Sequence, residues 1–136
     1  MKIVVISGSP RKTGNTQIIM KYVNEYTKSK NSETKFINLS EGEIECYRGF
    51  DVEYNEATKN AAKDIMEADV WLIGSPIYNS FFSSALKNLF EYVDYKKTEG
   101  KVAGMAILAA GNIGFVDVQT VITPVSYTHL TLPTKA

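Results

Sequence analysis

The chain has 136 residues, 44% hydrophobic and 22% charged, which suits one globular domain with an ordinary core. Fifteen basic residues balance fifteen acidic ones, so no global field draws the protein to nucleic acid or to an anionic membrane. One cysteine, Cys46, excludes an internal disulfide framework; with no run near the roughly 18 apolar residues of a membrane span and no signal peptide, a cytoplasmic protein is expected.

Ile3 to Ser7 reads as a short buried strand, β-branched and without polar alternation. It runs into Gly8-Ser9-Pro10-Arg11-Lys12-Thr13-Gly14-Asn15-Thr16, which opens a helix over 16–29. Backbone N–H groups at a helix N-terminus are unpaired and carry partial positive charge, so they attract an anion. Ser9, Thr13, Asn15 and Thr16 add short donors, and Arg11 and Lys12 add charge. The bland alternative is a simple cap, with Asn15 or Thr16 at the N-cap and Ser9-Pro10 in a turn. Capping alone does not call for two cations on the same loop, so the segment reads as a phosphate cradle. It is not a P-loop, because Thr13 stands where the second glycine is needed, and not a dinucleotide fingerprint, because position 10 is proline.

In the helix over 16–29, Ile18, Ile19, Tyr22, Val23 and Tyr26 share one stripe, which is expected to face the core. Thr34 to Leu39 is a weaker strand, and 40–54 has no clear period and reads as a long loop. Glu56 to Ala68 is a helix with Ala57, Ala61, Ala62, Ile65 and Met66 at helical spacing; Val70 to Gly74 is a buried strand. Ser83 to Tyr95 is a helix with Ser83 as its N-cap and Leu86, Leu89, Phe90 and Val93 inward. Val102 to Ala109 is a buried strand in which Gly104 allows close packing, and a further helix is expected near Val116–Val121.

Strand and helix alternate, which means a parallel sheet with helices on both faces. Right-handed crossovers then gather the loops 8–16, 75–82 and 110–115 at the carboxyl edge of the sheet. The second of these holds Pro76, Ile77, Tyr78, Asn79, Phe81 and Phe82. Tyr78 presents a flat ring with a polar tip, and Asn79 can bond the edge of a planar ligand. The same rings could instead cover the sheet edge or pack on a second subunit. Gly111-Asn112-Ile113-Gly114 lets backbone N–H groups approach a ligand closely, although a turn explains it equally well. A phosphate cradle, an aromatic shelf and a close-approach loop suit a ligand with a phosphate at one end and a flat ring at the other. Flavin mononucleotide (FMN) fits that description.

With Gly8-Ser9-Pro10-Arg11-Lys12-x-Gly14-Asn15-Thr16, Gly74-Ser75-Pro76-Ile77-Tyr78 and Leu86-Lys87-Asn88, the chain resembles the flavodoxin-like NAD(P)H-dependent FMN reductases over about residues 1–122. The resemblance implies a flavodoxin-like doubly wound parallel sheet in three α/β/α layers, bound FMN and reduction by NAD(P)H. It places the phosphate on Ser9, Arg11, Lys12, Thr13, Asn15 and Thr16. It lines the ring with Pro76, Ile77, Tyr78 and Asn79, and with Gly111, Asn112 and Gly114. A small electron acceptor, of quinone or flavin type, and a homodimer are the partners it implies.

Some relatives, the iron–sulfur flavoproteins, carry a cysteine cluster after the second strand. The matching stretch here keeps only Cys46, and one thiolate cannot hold a cluster that wants about four, so no metal is expected. Cys46 itself is expected to be small and half-buried. Residues 125–136, from Val125-Ser126-Tyr127 to Ala136, show no useful periodicity and resemble read-through beyond a domain of residues 1–124. On that reading the last strand and helix of the sheet are missing, and His129 has no catalytic role.

Hydride transfer is cofactor chemistry, so no catalytic dyad is required of the chain. Two alternatives remain: a flavodoxin-type electron carrier without NAD(P)H activity, and an inactive fragment. A phosphorylatable receiver domain is discounted, because Ser7-Gly8-Ser9 stands where paired carboxylates are needed.

Overall fold

The β-branched run Ile3–Ser7 forms strand β1, and each of its residues is buried. That burial follows from its place: β1 pairs in parallel with β2 (Thr34–Asn38) on one edge and with β3 (Val70–Tyr78) on the other. β3 pairs onward, also in parallel, with β5 (Val102–Leu108), giving the order β2-β1-β3-β5. These relations come from a computed structural model that describes residues 1–109. Helix α1 (Asn15–Lys30) crosses from β1 to β2, α2 (Glu56–Glu67) from β2 to β3, and α3 (Ser84–Glu91) lies between β3 and β5. Because the strand order reverses at β1, α1 covers one face and α2 and α3 the other. The result is the expected three-layer, doubly wound, flavodoxin-like architecture.

Alternation along β1 sorts the core. Val4 and Ile6 point to the α2–α3 face and join Trp71, Ile73, Ile65, Leu86, Leu89 and Phe90. Ile3 and Val5 point to the α1 face and meet Met20. Trp71 donates its indole N–H to the Ile65 carbonyl at 2.9 Å, so this large ring is buried without an orphaned donor.

Three details depart from the sequence expectation. The apolar stripe of α1 faces outward: Ile18 and Tyr22 are 66% and 68% exposed, and Ile19 and Tyr26 are exposed too. The buried side of α1 is Thr16, Gln17, Met20 and Asn24, with Val23 half-buried. β3 does not end at Gly74 but runs on to Tyr78 and turns through Asn79 and Ser80 into β4 (Phe81–Phe82). Pro76 is tolerated there because β1 has already ended opposite Gly74, so its missing N–H takes no bond from that ladder. Finally, α3 stops at Glu91 rather than Tyr95, and a short 3₁₀ turn takes over at Tyr95–Lys97. The glycine-rich loop with Gly111, Asn112 and Gly114, the helix near Val116–Val121 and the segment 125–136 lie outside the described residues.

Candidate functional site

Ser7 of β1 and Gly74 of β3 are register partners, so the chains leaving both strands start side by side. Gly8 donates its N–H to the Gly74 carbonyl at 2.8 Å. A Cβ on Gly8 would stand 2.5 Å from that carbonyl oxygen, and one on Gly74 would stand 2.2 Å from Cγ of Met20. Only glycine fits at either place without displacing its neighbours. Ser83 closes the arrangement from α3: its hydroxyl donates to the Gly8 carbonyl and accepts the Leu86 N–H at 3.1 Å, as an N-cap should. The loops after β1 and β3 are thus tied together at the carboxyl edge.

The chain then climbs through residues 9–14. Ser9 is buried and accepts the Arg11 N–H at 3.2 Å, which shapes the turn. Arg11, Lys12 and Thr13 are exposed, and neither cation meets a carboxylate among the described residues. Gly14 is the N-cap of α1, with φ 156° and ψ 166°, a conformation open essentially to glycine alone. Neither Asn15 nor Thr16 is the cap, and no side chain accepts from the first turn. Asn15 is exposed and Thr16 buried. Among the described residues the opening of α1 therefore offers N–H groups and two cations without an internal acceptor, an arrangement that suits an anion.

The second loop is a hairpin. Pro76 is buried, Ile77 half-buried, and Tyr78 and Asn79 exposed. Asn79 and Ser80 both have positive φ, 49° and 64°, as a two-residue turn between antiparallel strands demands. Phe81 and Phe82 stack with ring centroids 4.7 Å apart; Phe82 is buried and Phe81 exposed. Tyr78 and Phe81 are register partners and stand together at the tip.

The long segment between β2 and α2 is a docked strap. Asn88 of α3 donates to the Glu45 carbonyl at 2.9 Å and accepts the Tyr47 N–H at 2.8 Å. This double bond to the backbone gives a physical reason for asparagine in the Leu86-Lys87-Asn88 string. Tyr92 donates to the same Glu45 carbonyl at 2.7 Å and packs edge-on against Tyr47 and Tyr54. Burial pushes its phenol up to about 12. Cys46 sits in this strap and is exposed, not half-buried.

The structure thus joins the first two expected site loops, with Ser9, Arg11, Lys12, Thr13, Asn15 and Thr16 on one and Pro76, Ile77, Tyr78 and Asn79 on the other. The third, holding Gly111, Asn112 and Gly114, follows β5, whose Leu108 pairs with Pro76. What sequence reasoning missed is a chain of polar side chains behind the first loop, the buried Ser7, Gln17 and Ser40 and the half-buried Asn38. A polar residue at a helix position that hydropathy assigns to solvent left no signal of its burial.

A family model described as NADPH-dependent FMN reductase matches residues 1–134. Among curated proteins, the NADPH azoreductase of Bacillus sp. (strain OY1-2) is 30% identical over 118 residues, 86% of this chain and 64% of that one. An iron–sulfur flavoprotein of Methanocaldococcus jannaschii is 32% identical over 98 residues, 67% of this chain and 51% of its own length. The chain therefore spans about half to two-thirds of these relatives. Among solved structures, the flavoenzyme NAD(P)H:(acceptor) oxidoreductase of Paracoccus denitrificans has a TM-score of 0.71 at 20% identity, over 99% of this chain and 76% of that one. This last likeness shows the fold.

Proposed function

The chain belongs to the NADPH-dependent FMN reductase family, and on that premise we propose that it binds FMN and passes a hydride from NAD(P)H through it to a small electron acceptor of quinone or flavin type. The observation that carries the reading is the uncapped opening of α1 at Gly14, flanked by Arg11 and Lys12. A helix that merely starts here would satisfy its first turn with a side-chain oxygen, as α2 and α3 do with Asn55 and Ser83.

The residues fit the group. The first-turn N–H groups with Ser9, Arg11, Lys12, Thr13, Asn15 and Thr16 would hold the phosphate. Pro76, Ile77, Tyr78 and Asn79, with Gly111, Asn112 and Gly114, would line the ring. Bound FMN would supply the redox chemistry, taking two electrons from a nicotinamide and giving them to the acceptor. The chain's own part is to bind, orient and exclude water. Tyr78 and Phe81 at the hairpin tip offer an apolar wall, and the Gly8–Gly74–Ser83 junction fixes the distance between that wall and the phosphate loop. The exposed Phe81 beside Tyr78 also supports a homodimer, whose two-fold axis would bury the same patch twice. The cytoplasm, where a lone exposed thiol such as Cys46 stays reduced, suits this reading.

The test is titration of the purified chain with FMN and with riboflavin, followed by flavin fluorescence, and then addition of NADPH or NADH. FMN should bind more tightly than riboflavin. Arg11→Ala should weaken FMN about tenfold or more while leaving riboflavin nearly unchanged, since a charge-assisted bond contributes about 1.5–3 kcal/mol. Equal losses would move the phosphate elsewhere. A chain that binds FMN and consumes neither nicotinamide would be a flavodoxin-type carrier.

A further inference from the structure

Behind the phosphate loop runs a hydrogen-bonded chain that is buried from Ser7 to Ser40 and reaches the surface at Glu41. Ser7 donates its hydroxyl to Oε1 of Gln17 at 2.9 Å. Gln17 donates from Nε2 to Ser40 Oγ at 3.1 Å. Ser40 donates to Oδ1 of Asn38 at 2.9 Å, and Asn38 donates from Nδ2 to Glu41 at 3.1 Å. Ser7, Gln17 and Ser40 are 0%, 4% and 7% exposed.

The direction of every bond follows from its two ends. The Glu41 carboxylate only accepts, so it takes the Asn38 amide N–H and leaves Oδ1 facing Ser40. That oxygen also accepts the Ser40 backbone N–H at 3.2 Å, so the Ser40 hydroxyl must donate to it. Ser40 Oγ is then an acceptor, which fixes the Gln17 amide and makes its oxygen the acceptor for Ser7. There is one consistent arrangement, and any apolar replacement at Gln17 leaves the buried Ser7 hydroxyl unpaired and takes from Ser40 Oγ the donor it accepts, while Ser40 keeps its bond to Asn38.

Its placement gives the chain a role. Ser7 is the last residue of β1, immediately before the phosphate loop, and Gln17 is in the first turn of α1, immediately after it. Between these points Pro10, Arg11, Lys12 and Thr13 are exposed. We propose that Gln17 is a positioning residue that closes the phosphate loop at its base, with Ser40 and Asn38 tying that closure to the end of β2. The loop then presents its N–H groups without being ordered at the moment of binding, which is where preorganisation gains affinity. The proposal rests on the FMN reading above, and it assigns to residues outside the loop a share of the loop's phosphate affinity.

The test compares FMN with riboflavin, which lacks the phosphate, in wild type, Gln17→Met, Ser40→Ala and the double variant. Gln17→Met keeps length and bulk but removes both bonds. It should raise the FMN dissociation constant about tenfold and change that for riboflavin by less than about threefold. Ser40→Ala, which spares the Ser7–Gln17 bond, should shift FMN in the same direction by a smaller factor. The double variant should be no worse than Gln17→Met alone, because the two residues act as one unit. Should Gln17→Met fail to fold, Ser40→Ala carries the comparison. A wild type without preference for FMN over riboflavin overturns the FMN reading and this inference with it. A wild type that prefers FMN, with variants that keep the full preference, overturns the inference alone. A purely structural role would lower the melting temperature and weaken both ligands by the same factor, which also overturns it.

Discussion

On the α2–α3 face of the sheet, Trp71, Ile65, Leu86 and Leu89 are almost wholly buried, and the Trp71 ring stacks on Phe90 with centroids 6.3 Å apart. On the α1 face, the buried apolar residues among those described are Ile3, Val5 and Met20, and the end nearest the site is filled by Ser7, Gln17 and Ser40. The α1 helix also turns Ile18, Ile19, Tyr22 and Tyr26 outward. The two faces hold to the sheet by different means. One relies on apolar area removed from water, which is strong and tolerant of direction. The other relies on directional bonds, which contribute less free energy but fix a geometry. The candidate phosphate loop grows from the second.

The largest effect expected is on the first face. Trp71→Ala should destabilise the fold by about 3–5 kcal/mol, read by chemical denaturation, because it removes a buried ring and leaves a cavity. A loss under about 1 kcal/mol would mean that this face is not the principal source of stability.

A smaller effect tests how the strap is fastened to that face. The Tyr92 phenol lies above its ordinary value of 10.0, at about 12, chiefly because burial disfavours the phenolate. The folded state therefore keeps its proton where the unfolded chain has lost it. Stability is unaffected below pH 10 and falls as pH rises from about 10 to 12. Tyr92→Phe should flatten that part of a pH–stability curve. An unchanged slope would assign the alkaline loss to other groups.

The smallest effect is on the outer side of α1. Ile18→Ser and Tyr22→Ser should each alter stability within about 0.5 kcal/mol, since neither removes buried area. A loss of more than about 2 kcal/mol would show that the outward stripe is covered in the folded protein, and would narrow the contrast between the faces.

That stripe is also where the sequence misled. Spacing alone shows that Ile18, Ile19, Tyr22 and Tyr26 share a side of a helix, and hydropathy then points the side inward. The opposite side is held by partners outside the helix, Gln17 bonding Ser7 and Ser40 at separations of 10 and 23 residues, and no local pattern encodes them. Gln17 can be buried because Ser7 and Ser40 satisfy it. The strands were legible because runs such as Ile3–Ser7 are β-branched and uninterrupted. The loop after β1 stood out as a candidate phosphate site because its mixture of hydroxyls, glycines and cations is unusual. The hairpin went unread: the sequence reading ends the strand at Gly74 and leaves 75–82 as a loop, because Asn79-Ser80 lacks the glycine that marks a two-residue turn. The strap could not be foreseen, since its order comes from Asn88 and Tyr92 on a helix that follows much later in the chain.

The overrun of β3 past its neighbour has a mechanical consequence. Up to Gly74 the strand is clamped by β1 on one edge and β5 on the other. Beyond it, Ser75 and Pro76 keep only the β5 clamp among these two, and Ile77 and Tyr78 are held by β4. The segment is a cantilever whose fixed end is the Gly8–Gly74–Ser83 junction and whose free end carries Tyr78. Stiffness therefore falls along the candidate site, from a rigid root at the Gly8–Gly74–Ser83 junction to a compliant tip at Tyr78. A load placed on that tip bends the overhang, while the root, braced from both loops, keeps its dimensions.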